Sequence, residues 1–387
     1  MFIQRDLSTQ INNNLFQDRV ILIYGTRRTG KTTLIQHLSK DYQNQGKRCS
    51  IFNCEKPDIR NILSLDNMLN LEALLKDLEI LILDEAQCIP NIGRILKLIH
   101  DEIPHVQVIA TGSSSFDLAN KTGEPLVGRS ISFELQPLSI KELYTFQQQN
   151  NDSLFIQSRL EKILRFGTYP AIWNLPEHNA KRELKRIIDG YLYKDILIFE
   201  HIKHPDCLTK LLKCIALQVG SEVSFRELSQ ATGLAVHTVQ RYLDLLKKCF
   251  IIFSLPGVKS LNLRSAIENN NRKKFYFYDL GIRNAVISSF NPFDERNDIG
   301  ALWENFCIIE LMKKAQRDDL LYDHYFWKNV QQKEVDYIQR VDGKFEAYEF
   351  KYSNNRRVFV PKEFQETFKP NSFQVVHKDN FLKYMLA

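Results

Sequence analysis

Cysteine pairing is missing from this chain. The seven cysteines, Cys49, Cys54, Cys88, Cys207, Cys214, Cys249 and Cys307, are odd in number and show neither CxxC nor Cys/His ligand spacing. That excludes a disulfide framework and a structural zinc site, and it points to reduced thiols in a cytosol. Long apolar runs are also lacking. A stretch such as ILIL at 80–83 falls far short of the ~18 residues a membrane-spanning helix needs. The opening MFIQRDLSTQ has no basic segment followed by an apolar one, the pattern of a secretory signal. A soluble cytoplasmic protein with no membrane association is expected. No repeat with a period of ~20–50 residues is visible, and the longest biased tract is QQQNN at 147–151, which excludes solenoids and low-complexity arrays.

What is present is ordinary globular composition: 44% hydrophobic, 25% charged and 11% aromatic residues, which rules out collagen-like and disordered classes. At 387 residues the chain is too long for one compact core and suggests two to three domains of about 100–200 residues each. Lysine and arginine (52) exceed aspartate and glutamate (46), giving +6. That surplus permits a nucleic-acid partner without demanding one, because placement decides.

Four short apolar runs, at 19–24 (RVILIY), 48–52 (RCSIF), 79–83 (EILIL) and 106–110 (VQVIA), have the texture of strands buried on both faces of a parallel sheet. Helical patterns, for example 32–42 and 93–102, lie between them, so the first third reads as βαβ. From 138 to about 204 the pattern is helical and charged. NNNRKK at 269–274 reads as a polar, basic linker, and the remainder mixes strands with helices.

Gly25-Thr26-Arg27-Arg28-Thr29-Gly30-Lys31-Thr32 fits G-x-x-x-x-G-K-[ST] at every required position, followed by Thr33, after a strand and opening a helix. The glycines let the backbone bend around phosphates, and its amides, with the positive end of the following helix, cradle the anion. Lys31 is expected to reach the β and γ phosphates of ATP and the Thr32 hydroxyl to join the shell of Mg²⁺. A strand buried on both faces has no reason to end in Asp84-Glu85 unless those acids meet something polar. Asp84 is assigned to the metal and Glu85 to polarising the attacking water. After the next strand, Thr111, Ser113 and Ser114 either sense the γ phosphate or simply form a small-residue turn. Arg129 is a candidate arginine finger, acting within the chain or on a neighbouring copy.

These segments, RRTGKTTL, ILDEAQ, TGSSS, LVGR, Gly167-Thr168-Tyr169-Pro170 and Asp195-Ile196, resemble a prokaryotic family of AAA-type ATPases in which an AAA_14 core precedes a region called DUF4143. Weaker likeness continues at Tyr278-Asp279-Leu280-Gly281, Trp303-Glu304-Asn305-Phe306 and Glu334-Val335-Asp336. The resemblance implies an AAA-like core, a central winged helix and a nuclease-like tail.

Residues 223–234 read as a helix ending in a glycine turn, followed by a second helix over about 235–249 whose Val239, Leu243 and Leu246 share one buried face. This is helix-turn-helix spelling, with FIIF at 250–253 starting a wing. His237, Gln240, Arg241 and Lys247 are left for phosphates or base edges, although such an element also serves as a packing or lid module.

In the tail, Glu304 on a helix, Asp336 on a strand and Glu349-Phe350-Lys351 on the next resemble the PD-(D/E)xK nuclease pattern. Residues 349 and 351 share a strand face, with a turn at Asp342-Gly343 between the strands. Asp336 and Glu349 are assigned as oxygen ligands for magnesium, Lys351 as the group that orients water, and Glu304 as completing the shell. Val335 stands where the pattern has proline. Lys328, Lys333, Arg356 and Arg357 either meet a phosphate backbone or form a solvated face. Trp303, Phe306, Tyr325, Phe326 and Trp327 read as core rather than as base-stacking platforms.

The expected architecture is multidomain α/β: a P-loop NTPase core of AAA-like type with a parallel sheet (1–137), a helical lid (138–204), a winged helix-turn-helix (205–260) and a restriction-endonuclease-like α/β domain (261–387). The expected activity is Mg²⁺-dependent ATP hydrolysis coupled to domains acting on DNA. The alternative is a nucleotide-gated switch or scaffold for a protein partner with an inactive nuclease-like domain. A homo-oligomer is possible under either.

Overall fold

The computed structural model describes residues 2–63, 68–112, 126–148, 155–190, 205–258, 273–354 and 358–387. They divide into two compact units, Met1–Gln136 with Lys248–Phe250, and Pro137–Lys247 with Ile251–Ala387.

The first unit is built on five parallel strands: β1 (Val20–Tyr24), β2 (Cys49–Asn53), β3 (Ile80–Asp84), β4 (Gln107–Gly112) and β5 (Ser130–Glu134), in spatial order β2-β3-β4-β1-β5. Alternation along the strands feeds two cores. Val20, Leu22, Leu81, Leu83, Val108 and Ala110 pack on one face with Ile92, Ile95, Leu96 and Ile99 of the helix Ile92–Glu102. Ile21, Ile23, Ile80, Ile82 and Ile109 pack on the other with Leu34, Ile35, Leu38 and Tyr42 of the helix Lys31–Asn44. Helices on both faces explain why the middle of each central strand is a continuous apolar run. β5 was not anticipated. Its sequence SISFE keeps polar residues on a half-exposed edge strand, so no continuous apolar run marks it.

The second unit carries a six-stranded mixed sheet: β6 (Ile252–Val258), β7 (Lys273–Phe277), β8 (Tyr322–Lys328), β9 (Glu334–Val341), β10 (Lys344–Phe350) and β11 (Ser372–Val376), in order β11-β10-β9-β8-β6-β7. The helix Phe225–Thr232, capped by the Ser224 side chain and closed by Gly233 at φ +75°, leads into the helix Val236–Lys248, where Val239, Leu243 and Leu246 are buried. The strand that follows pairs with β7 on one side and with β8, parallel, on the other. A domain boundary at 260 is therefore corrected: β6 is shared by the helical pair and the tail sheet. The expected lid, helix-turn-helix and tail form one unit, because main-chain partners tie them together. Lys313 Nζ donates to Leu138 O (3.0 Å), Ile140 N to Glu310 Oε2 (2.7 Å), and Thr168 N to Asp279 Oδ2 (2.8 Å). Lys273 and Lys274, read as linker, belong to β7, and Lys274 is buried. Trp303, Phe306, Tyr325, Phe326 and Trp327 are all buried.

No helix among the described residues is long and apolar enough to cross a membrane.

Candidate functional site

β1 ends at Tyr24, and the chain turns through Gly25–Gly30 into the helix Lys31–Asn44, whose cap is Gly30 in the left-handed region (φ +96°). The first turn carries no acidic residue and the cap contributes no side-chain bond, so the amide end of a 14-residue helix is left for an anion. The turn is tight: a Cβ on Gly25 would collide with the Leu135 carbonyl oxygen. Within the loop, Thr29 Oγ1 donates to Thr26 O (2.9 Å), and Lys31 Nζ donates to Gly25 O (2.8 Å) and Thr26 O (3.0 Å). The Lys31 ammonium is thus already over the loop where phosphates would lie. Arg27, Arg28, Thr32 and Thr33 are exposed along the same turn. Arg5, which sequence reasoning missed, pins the loop from below through Nη1 to Thr29 O (2.7 Å) and Nη2 to Gln136 O (2.5 Å).

β4 separates β1 from β3, so Asp84 faces the loop across the end of an intervening strand, roughly two strand spacings or about 10 Å from β1. The gap is bridged by hydroxyls. Thr32 Oγ1 donates to Asp84 Oδ2 (2.9 Å), Thr111 Oγ1 donates to Asp84 Oδ1 (2.6 Å), and Glu85 N donates to Thr111 Oγ1 (3.1 Å). Glu85 sits in the left-handed region (φ 55°) and accepts from Gln87 Nε2. Thr32 and Asp84 present hard oxygens side by side, a donor set that fits magnesium. Thr111 thereby acquires a defined place orienting Asp84. Ser113 and Ser114 lie outside the described residues. Glu134, at the end of β5 and paired in register with Tyr24, was not anticipated either; burial pushes its carboxyl up to about 8.

Arg129 is not brought to this site. Its carbonyl accepts from Val20 N at the start of β1, while the loop follows the end of that strand, about 17 Å away at 3.3 Å per residue. Its Nε instead donates to Asp101 Oδ1 (2.9 Å). The within-chain finger role is corrected on that ground.

In the second unit, Asp336 comes within electrostatic reach of Glu304, Glu349 and Lys351. β9 and β10 place Asp336 and Glu349, and the helix Ile299–Arg317 brings Glu304. Asp336 Oδ2 accepts from Phe350 N (2.8 Å), and Lys351 Nζ lies 2.7 Å from Glu349 Oε1 and 4.0 Å from Asp336 Oδ2. Glu349 Oε2 is buried with no hydrogen-bond partner. Burial, reinforced by Glu304, pushes the Asp336 carboxyl up to about 7, and burial with Asp336 nearby does the same to Glu349.

The three-acid metal shell is corrected. Among the described residues no group of three or more His, Cys, Asp or Glu side chains is arranged to hold a metal ion. Glu304 is engaged elsewhere: its Oε1 accepts from Tyr276 Oη (2.5 Å) and from Lys274 Nζ (3.1 Å), and Lys274 also pairs with Glu334. Lys274 and Tyr276 escaped the sequence reading. Burial alone would push Lys274 down, but Glu304, Glu334 and Asp336 outweigh it and hold the ammonium above the usual lysine range. Lys328 pairs with Glu222 and Glu334 (3.7 Å each), and Arg356 and Arg357 lie outside the described residues.

These acids give a pH signature. A carboxyl whose folded value is raised holds a proton that the unfolded chain has released. Its stabilising effect is therefore complete below about pH 4 and is lost as pH rises through about 7. Asp336→Asn keeps an acceptor for Phe350 N and removes one such group. In chelator-treated protein its melting temperature is expected to exceed the wild type's by several degrees at pH 8 and to coincide with it near pH 4. Parallel wild-type and variant melting curves across that range would contradict the assignment.

On the helix Val236–Lys248, His237, Gln240 and Arg241 are exposed, while Lys247 pairs with Asp244 (2.6 Å).

The first unit is an α/β P-loop ATPase-like domain by sheet, loop and hydroxyl-linked acid. The family match over the same residues agrees. Residues 17–144 match an AAA domain (AAA_14), residues 157–292 a domain of unknown function (DUF8612) and residues 299–383 another (DUF4143). The helix-turn-helix segment falls within the DUF8612 match. An uncharacterized protein of Methanocaldococcus jannaschii, MJ1544, is 24% identical over 86% of this chain and 74% of its own. An uncharacterized protein of Haemophilus influenzae is 23% identical over 96% of this chain and 89% of its own. Among solved structures, the Walker-type ATPase PABY2304 of Pyrococcus abyssi aligns with TM-score 0.49 and 16% identity over 74% of this chain and 96% of its own.

Proposed function

We propose that this protein binds and hydrolyses ATP with magnesium in its first unit and couples nucleotide state to a second unit that acts on DNA. The observation that carries the reading is the hydroxyl-bridged pair Thr32–Asp84 beside Lys31, at the amide end of a helix. Backbone amides of 25–32 and the Lys31 ammonium bind and neutralise the phosphates. Thr32 and Asp84 would hold magnesium, which supplies charge neutralisation at the phosphates when bound. Glu85 orients and deprotonates the attacking water.

In the second unit, Asp336 and Glu349 would hold a divalent cation, for which the unpartnered Glu349 Oε2 is the supporting observation, and the cation would supply Lewis-acid activation. Lys351, at the half-exposed mouth of the site, orients water or a phosphate oxygen. His237, Gln240 and Arg241 supply phosphate contacts.

ATP turnover titrated with double- and single-stranded DNA tests the coupling, with stimulation expected. Turnover indifferent to DNA would favour the second reading, a nucleotide-gated switch for a protein partner. The engagement of Glu304 by Lys274 and Tyr276 supports that alternative by leaving the nuclease-like site short of an acid. Plasmid incubated with manganese is expected to be nicked by the wild type and left intact by Asp336→Ala and Glu349→Ala; equal behaviour of all three removes the nuclease role.

A further inference from the structure

Lys274 lies on β7 with its side chain almost wholly enclosed (4% exposed) beneath an acidic group, an expensive place for an unpaired ammonium. It is not unpaired. Glu304 Oε1 lies 3.1 Å from Nζ, Glu334 Oε1 is in direct contact, and the Phe326 ring centroid is 5.2 Å away. The same Glu304 oxygen also takes the Tyr276 hydroxyl, so Glu304 is fixed by two donors from one strand.

The charges close around this arrangement. Glu304, Glu334, Asp336 and Glu349 are four carboxylates, and Lys274 and Lys351 are two ammonium groups. Glu222 and Lys328 add one of each sign. With every one of these groups ionised two negative charges remain, the charge of one divalent ion; of their oxygens Glu349 Oε2 and Glu334 Oε1 are buried with no hydrogen-bond partner, and Glu334 Oε1 is the one that faces the Lys274 ammonium.

We infer that Lys274 is a resident cation of this site: it commits Glu304 to a positioning role, so that the site takes a single divalent metal ion, through Asp336 and Glu349. The inference rests on the metal reading of those two acids. Tyr276 and Lys274 do for Glu304 what a second metal would otherwise do, neutralising it and fixing its rotamer. A site so built positions one ion and has no place for a pair.

Binding of Mn²⁺ to the full-length, nucleotide-free chain, followed by electron paramagnetic resonance, tests this in an Asp84→Asn background that silences the first unit's acid. One ion per chain is expected. Asp336→Asn should abolish it, whereas Glu304→Gln, which still accepts from Tyr276, should keep it within about threefold in affinity. Lys274→Met should release Glu304 and raise the stoichiometry to two. Loss of the ion in Glu304→Gln to the extent seen in Asp336→Asn makes Glu304 a ligand and overturns this inference alone. A stoichiometry of one in folded Lys274→Met also overturns it, and if that variant does not fold the Glu304→Gln result decides. Manganese uptake indifferent to Asp336→Asn removes the underlying metal reading as well.

Discussion

Alanine at Lys31 is expected to abolish saturable Mg-ATP binding and to lower turnover by about 10²–10³-fold, the loss typical when one preorganised donor is removed from a developing anion. Lys31 is the ammonium already folded over the loop, held by the carbonyls of Gly25 and Thr26. Exchanging those two bonds for phosphate oxygens replaces neutral acceptors with charged ones, which strengthens each bond. Glu85→Gln separates binding from chemistry. Glutamine still accepts from Gln87 and fills the same space, but it cannot take a proton from water, so calorimetry should show Mg-ATP binding within a few-fold of wild type while turnover falls by about 10²–10³. Thr111→Val belongs to the same series. It removes the hydroxyl that orients Asp84 and accepts from Glu85 N, and it leaves a buried carboxylate short of one donor. If Lys31→Ala hydrolysed ATP at the wild-type rate, the loop would be a turn of no catalytic consequence.

The glycine-lysine loop and its acid partner are legible from sequence because their parts are local. Eight contiguous residues make the loop, and one strand ending in two acids makes the partner. The strands β1, β3 and β4 are equally plain, since burial on both faces makes their central positions a continuous apolar run. What links these parts is not local. Arg5 holds main-chain carbonyls at 29 and 136, and a carbonyl carries no sequence signature. Arg129 sits in a stretch with the right spelling for a finger, but parallel pairing of β5 with β1 puts it at the wrong end of the sheet. Lys274 fails for the same reason in the opposite sense. Six polar residues in a row read as linker, and only the return of the chain at Glu304 and Glu334 converts the last of them into a buried ion pair. Likewise β6 looks like the start of a free wing until β8, far along the chain, supplies its second neighbour.

Two motifs that the nucleotide chemistry leaves unexplained meet each other in the second unit. Gly167, at φ +73°, ends the helix Leu160–Phe166, and Thr168 N donates to the carboxylate of Asp279, which also caps the helix Leu280–Val286 through Ile282 N (3.1 Å). Asn284 on that second helix donates to Leu164 O (3.0 Å) and Arg165 O (2.9 Å), so the end of the first helix is clamped from two places. Between them Gly281 lies so close that a Cβ would collide with the Phe166 carbonyl, a main-chain group with no freedom to swing aside. Gly281→Ala is therefore expected to destabilise the second unit by about 3 kcal/mol, through overpacking that no rotamer change relieves. At ~2–4 °C per kcal/mol for a unit of this size, the melting temperature should drop by roughly 6–12 °C. Gly300→Ala provides the control. A Cβ there meets nothing within 4 Å, on an exposed position of the helix Ile299–Arg317, and helix propensity favours the change by about 1 kcal/mol. Calorimetric melting of both variants separates packing from propensity: a Gly281→Ala transition as high as that of Gly300→Ala would mean that the two helices can part without cost, and the junction of these motifs would lose its structural role.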